Sequence, residues 1–212
     1  MRFLAKDKAS SILNEGMTYQ KDRSPNNRQL LEALLLEQRG FCAYTERYMR
    51  WSDSPEVEHF NPALKYEDDY FNYYAVLRNA NQRKTKRERR SEFEGVPFFG
   101  SRFFQDPDEL NRRIRYIRED HMYETTDPDD REAEMLIEYL GINDWGLVKE
   151  RRNHSERVFE TCRENHWSND AIHAYFIKRP EELSFITALE LGLDLDLSSA
   201  IPPVPLVLDN ER

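Results

Sequence analysis

Apolar residues fall at helical spacing early in the chain: Leu30, Leu31, Leu34, Leu35 and Leu36 share a face. Ser24-Pro25 opens that stretch and Gly40 stops it, so a helix is predicted between them. Phe41–Met49 is rich in aromatics and reads as a strand or one arm of a hairpin. Val57–Phe60 reads as a short strand, ended by Asn61-Pro62. Phe71, Tyr74, Ala75, Val76 and Leu77 then suggest a helix, capped by Asp68 or Asp69 and running to about Arg90. An aromatic loop over Phe93–Phe104 follows. Ile114, Tyr116 and Arg118 alternate with Arg113, Arg115 and Ile117, and Met122–Thr126 returns after a polar turn. That predicts a hairpin, although the stretch from Glu109 also suits a helix. Beyond Asp127-Pro128 the pattern is helical, with helices expected to Tyr139 (stopped by Gly141), over Trp145–Glu164, over Ser168–Lys178 and over Pro180–Leu191.

The elements sum to an α+β fold, mostly helical. Residues 1–24 form an expected arm over the body, 25–126 a central region, 127–193 a helical region packed on it, and 194–212 a tail. Loop-like Trp51–Glu56 separates the first two strand-like pieces. The tail is proline-rich and apolar. It suits either a strap on the body or a docking segment for a partner.

Composition narrows the function classes. The net charge of −9 argues against nucleic-acid binding by the surface as a whole, so such binding must rest on a local basic patch. One exists: Arg83, Lys84, Lys86, Arg87, Arg89 and Arg90 face Glu88 alone among acids in that run. Two cysteines, Cys42 and Cys162, are too few for a disulfide framework. The opening MRFLAKDKAS lacks the apolar core of a signal peptide, and no apolar run approaches a membrane span. A cytoplasmic protein without a membrane partner is the expectation.

Candidate chemistry concentrates between Cys42 and Lys84. Glu58 and His59 adjoin in the second strand, while Asn72 and Asn81 follow in the next element. A carboxylate, an imidazole and an amide oxygen suffice to hold one hard divalent cation and activate a water beside it. Such equipment cuts phosphodiesters. Neighbours on a strand point to opposite faces, so Glu58 and His59 serve one centre only if the strand bends near Pro62. Taken alone, the pair reads more readily as a surface Glu–His couple. Asparagine is a poor choice inside a helix, which raises the odds that Asn72 and Asn81 have work to do. The basic run beyond Asn81 reads as phosphate contacts or as a solvated helix face.

These segments resemble the HNH (ββα-metal) endonucleases, and within them the PtuB-like HNH proteins of Septu and retron anti-phage systems. That pattern has LxxEQxGxCAYCE, a Glu-His-Phe stretch, and CNxxK. This chain has LLLEQRGFCAYTE, VEHFNP and ANQRK, and its IEYLGINDWGLVKERR is similar to a later stretch of those proteins. The likeness spans most of Leu30 to Arg152.

The resemblance implies an ordered set of roles. His59 would be the general base, Glu58 and Asn81 the ligands of one Mg²⁺ or Mn²⁺, and Asn72 a staple on the preceding loop. Arg83, Lys84, Lys86, Arg87 and Arg90 would touch nucleic-acid phosphates. Glu46 matches a glutamate of the family, as a structural buttress or a partner behind the site. The resemblance also implies a DNA or RNA substrate and an ATPase partner in an antiviral defence complex. Many members hold a structural zinc with four cysteines. Here Thr45, Leu77 and Ala80 stand where three of them would be, so no structural zinc is expected, and Phe41, Tyr44, Phe60 and Tyr74 are expected to pack in its place. The rival expectation is a ββα module that has lost catalysis and serves in interaction or nucleic-acid binding.

Overall fold

The computed structural model describes residues 2–50, 52–65, 69–94 and 107–209. The cap at Asp68, most of the loop expected over Phe93–Phe104 and the last residues of the tail lie outside them.

The fold is α+β and mostly helical, with two small antiparallel sheets. In chain order, α1 (Ser11–Asn14) and α2 (Ser24–Glu37) precede β1 (Pro55–His59), β2 (Tyr73–Leu77) and α3 (Arg78–Glu88). Then come α4 (Pro107–Arg113), β3 (Ile114–Ile117), β4 (Met122–Thr125), α5 (Arg131–Leu140), α6 (Trp145–Glu164), α7 (Asn169–Lys178) and α8 (Ile186–Leu193). The expected hairpin is β3–β4, with Tyr116 opposite Tyr123.

The helix expected from Asp69 to Arg90 divides. Tyr70–Asn72 is one 3₁₀ turn, Tyr73–Leu77 is strand β2, and only Arg78 onward is helical. All five residues of β2 are buried. A strand covered on both faces reads as a continuous apolar run, and periodicity does not separate it from a buried helix. β2 pairs with β1, setting Glu58 opposite Tyr74 and His59 opposite Tyr73.

Phe41–Met49 is not a strand arm but a tight loop closed by a single bridge between Phe41 and Tyr48. The Cys42 N–H donates to the Arg47 carbonyl at 2.9 Å, and Glu46 adopts φ 58° within the loop. The helix expected over Pro180–Leu191 also breaks. A 3₁₀ turn (Pro180–Leu183) is followed by Phe185 at φ 62°, whose N–H donates to the Glu46 carbonyl at 2.7 Å.

Gln38, just past α2, ties that helix to the hairpin. Its amide donates to Phe41 O and Ala75 O, both at 2.8 Å, and accepts from Ala75 N at 2.8 Å. The side chain thus pairs β2's free edge as a neighbouring strand would. One core cluster lies around this unit and includes Leu34, Tyr44, Phe60, Tyr74 and Leu136. Phe41 belongs to a second, with Val158, Phe176, Leu189, Leu197 and Ile201, so the tail straps the body here. Thr45, Leu77 and Ala80 are buried, and the Cys42 sulfur accepts from the Leu77 N–H at 3.4 Å.

Candidate active site

β1, β2 and α3 form a hairpin followed by a helix, and the expected site residues lie on this unit. The Asn72 amide bonds the loop after β1 in both directions. Its oxygen accepts from Asn61 N at 2.7 Å, and its nitrogen donates to Asn61 O at 3.0 Å. Asn72 O also accepts from Phe60 N at 2.9 Å. Asn72 is 1 % exposed, so these bonds are formed away from water and hold the end of β1 rigidly.

His59 and Glu58 leave β1 on opposite faces. The His59 ring is buried between two tyrosine edges, Tyr19 at 4.8 Å and Tyr73 at 5.5 Å between centroids. Tyr19 belongs to the N-terminal arm, which is tied down by its own N–H donating to the Tyr73 hydroxyl at 3.2 Å. Reciprocal bonds between Gln20 and Asn27, at 2.9 and 2.8 Å, anchor the arm to α2. The arm therefore covers the imidazole. Tyr19→Ala is expected to speed acylation of His59 by diethyl pyrocarbonate several-fold, read by peptide mass spectrometry. An unchanged rate would show that the arm gives no shielding.

Glu58 points towards α3, where its Oε1 lies 2.6 Å from Lys84 Nζ. Burial pushes the Glu58 carboxyl up, and the Lys84 ammonium pulls against that shift. Lys84 is itself wholly buried. It also pairs with Glu88 and donates to His59 O at 3.1 Å, Phe60 O at 3.2 Å and the Tyr139 hydroxyl at 3.3 Å. Lys84, expected among the phosphate contacts, is thus placed in the core and bonded to two carboxylates.

Asn81 contacts Glu56 rather than Glu58. Its Nδ2 donates to Glu56 Oε2 at 3.1 Å, and its Oδ1 accepts from the Thr85 hydroxyl at 3.4 Å. Glu56 also receives Arg78 Nε at 2.6 Å. Two residues apart on β1, Glu56 and Glu58 share a face, a spacing visible in the sequence though Glu56 was not singled out from it.

The basic run is largely spoken for. Arg83 and Arg87 pair with Asp144, and Arg90 with Glu92 and Glu138. Lys86 is exposed. A phosphate would have to compete with these acids for the guanidinium groups.

Glu46 lies outside the hairpin–helix unit. Its carboxylate accepts from Arg2 N at 3.0 Å, from the Tyr123 hydroxyl at 3.0 Å and from the Thr187 hydroxyl at 2.9 Å. Burial pushes this carboxyl up, but the neighbouring α-ammonium charge and those hydrogen bonds outweigh it, holding the pKa at about 2.

By donor chemistry, the Glu58 carboxylate and the Asn81 amide oxygen suit a hard divalent ion. Among the described residues no three His, Cys, Asp or Glu side chains cluster as a ready-made metal site. Glu58 already holds a cation, the Lys84 ammonium. No helix among the described residues is long and apolar enough to cross a membrane. No family model, curated protein or solved structure matches the chain.

Proposed function

We propose that the chain is a metal-dependent endonuclease of the HNH (ββα-metal) type, hydrolysing phosphodiester bonds in DNA or RNA. The observation that carries this reading is the order of the unit: an antiparallel hairpin with His59 at the end of its first strand, a loop locked by Asn72, then a helix bearing Asn81 in its first turn. His59 would accept the proton of the attacking water, and its edge contacts with Tyr19 and Tyr73 fix the plane of the ring. Asn72 would keep the imidazole in register by pinning the chain that follows it. Glu58 and Asn81 would hold the divalent ion, which supplies charge neutralisation at the phosphate; because His59 leaves β1 on the other face, one phosphate meets both only across the turn that ends the strand.

An effector role in anti-phage defence, with an ATPase partner, completes the proposal. The net charge of −9 supports it, since such a surface attracts nucleic acid poorly unaided. The test is incubation of the chain with plasmid, single-stranded DNA and total tRNA in Mg²⁺, Mn²⁺ or EDTA. Cleavage is expected with metal only, and His59→Ala is expected to slow it by about 10²-fold. Substrates left intact under every condition, with the ATPase partner present, would overturn the reading.

The Glu58–Lys84 pair favours a second reading, a ββα module that binds without cutting. It predicts retained nucleic acid with unbroken strands, indifferent to metal and to His59→Ala.

A further inference from the structure

We infer that the Lys84 ammonium is the resident cation of the Glu58 site, and that a divalent ion must compete with it for Glu58. This rests on the metal site of the proposed function, though not on cleavage itself. Lys84 Nζ lies among oxygens of the kind that hold hard cations: Glu58 Oε1 at 2.6 Å, Glu88 Oε1, His59 O at 3.1 Å, Phe60 O at 3.2 Å and Tyr139 Oη at 3.3 Å. The side chain has no exposed surface, and that of Glu58 is 8 % exposed. Solvent therefore screens neither charge well, and without Lys84 the Glu58 carboxylate would be an uncompensated charge in the interior.

A divalent ion on the second oxygen of the Glu58 carboxylate would lie a few ångströms from the ammonium, so the two cations compete for it. Both are positive, and at a few ångströms in a medium of low dielectric their repulsion is large. Metal binding at Glu58 is thus favoured when Lys84 lets go. Glu88 makes that step feasible. It sits one turn along α3 from Lys84 and pairs with it independently of Glu58. With Glu88, two carbonyls and the Tyr139 hydroxyl still around it, the ammonium stays charged and satisfied when Glu58 turns away. The balance between the two carboxylates for one lysine then sets how tightly a divalent ion is held.

Mn²⁺ binding, followed by the electron-paramagnetic signal of the free ion without nucleic acid, tests the idea. Lys84→Met is expected to bind one Mn²⁺ about ten-fold more tightly than the unchanged chain, because Glu58 and Glu88 then lack a counter-ion. Adding Glu58→Gln to Lys84→Met is expected to abolish the gain. Glu88→Gln, which leaves Lys84 to Glu58 alone, is expected to weaken Mn²⁺ binding several-fold. Equal affinity in the unchanged chain and a folded Lys84→Met variant, or a gain that survives Glu58→Gln, would overturn the inference. Should Lys84→Met fail to fold by circular dichroism, Glu88→Gln decides, and unchanged or tighter binding there overturns it. A chain that binds Mn²⁺ in this pattern yet cuts nothing keeps the inference and removes the nuclease.

Discussion

Glu46→Ala is expected to cost about 3–5 kcal/mol of stability, measured as a shift in the urea midpoint at pH 7. The carboxylate joins regions distant in sequence: Arg2, Tyr123 of β4 and Thr187 of α8. Removing it leaves the buried Tyr123 hydroxyl without its acceptor, and the part-buried Arg2 N–H and Thr187 hydroxyl without theirs. The backbone at Glu46 already bears a left-handed φ of 58°, which a non-glycine residue adopts only when its surroundings hold it there. Glu46→Gln should cost less, because one amide oxygen still accepts. A loss below about 1 kcal/mol for the alanine variant would mean the carboxylate is no rivet.

The same residue gives the protein a pH signature. The folded pKa, about 2, lies below the ordinary 4.5. A depressed carboxyl contributes stability that is complete above the unfolded value and is lost as pH falls through the folded one. Protons therefore favour the unfolded chain between pH 4.5 and 2. The difference in stability between the unchanged chain and Glu46→Gln should narrow by about 2 kcal/mol from pH 7 to pH 3.

Legibility in the sequence varied by element for definite reasons. α2 was visible because Pro25 and Gly40 bracket a leucine face, and β3–β4 because one face is solvated and the alternation survives. β2 was hidden, since Tyr73–Leu77 is buried on both sides and shows no period. In the site, the adjacency of Glu58 and His59 already dictated opposite faces, and the two side chains do part company. Lys84 was misplaced because it stands in a basic run, where a solvated face is the usual reading. Only the packing of β1 against α3 shows that Glu58 faces it. Glu46 was visible as a residue but not as a link, because its partners, Arg2, Tyr123 and Thr187, lie far from it along the chain.

Arg151 lay in the stretch resembling a known family, yet nothing in its local pattern set it apart from its neighbours. It is among the largest fully buried side chains of the described residues. Its Nη1 donates to His121 O at 2.5 Å and its Nη2 to Ile142 O at 2.9 Å. The guanidinium lies 5.0 Å from the Tyr123 ring centre and 5.7 Å from that of Phe185. Tyr123 therefore sits between two opposite charges, with its hydroxyl on Glu46 and its ring against Arg151. Arg151→Ala removes a cation, two carbonyl partners and a large volume, and should cost about 3–5 kcal/mol. Arg151→Met keeps most of the volume and no charge, so it should cost about 1–2 kcal/mol if packing dominates. Equal losses for the two variants would place the whole effect on the charge. The double variant Glu46→Gln, Arg151→Met then measures whether the charges sense one another across Tyr123. Coupling of about 1 kcal/mol is expected, so that the double variant loses less than the two single losses together. Strict additivity would make Tyr123 a spacer between two independent sites.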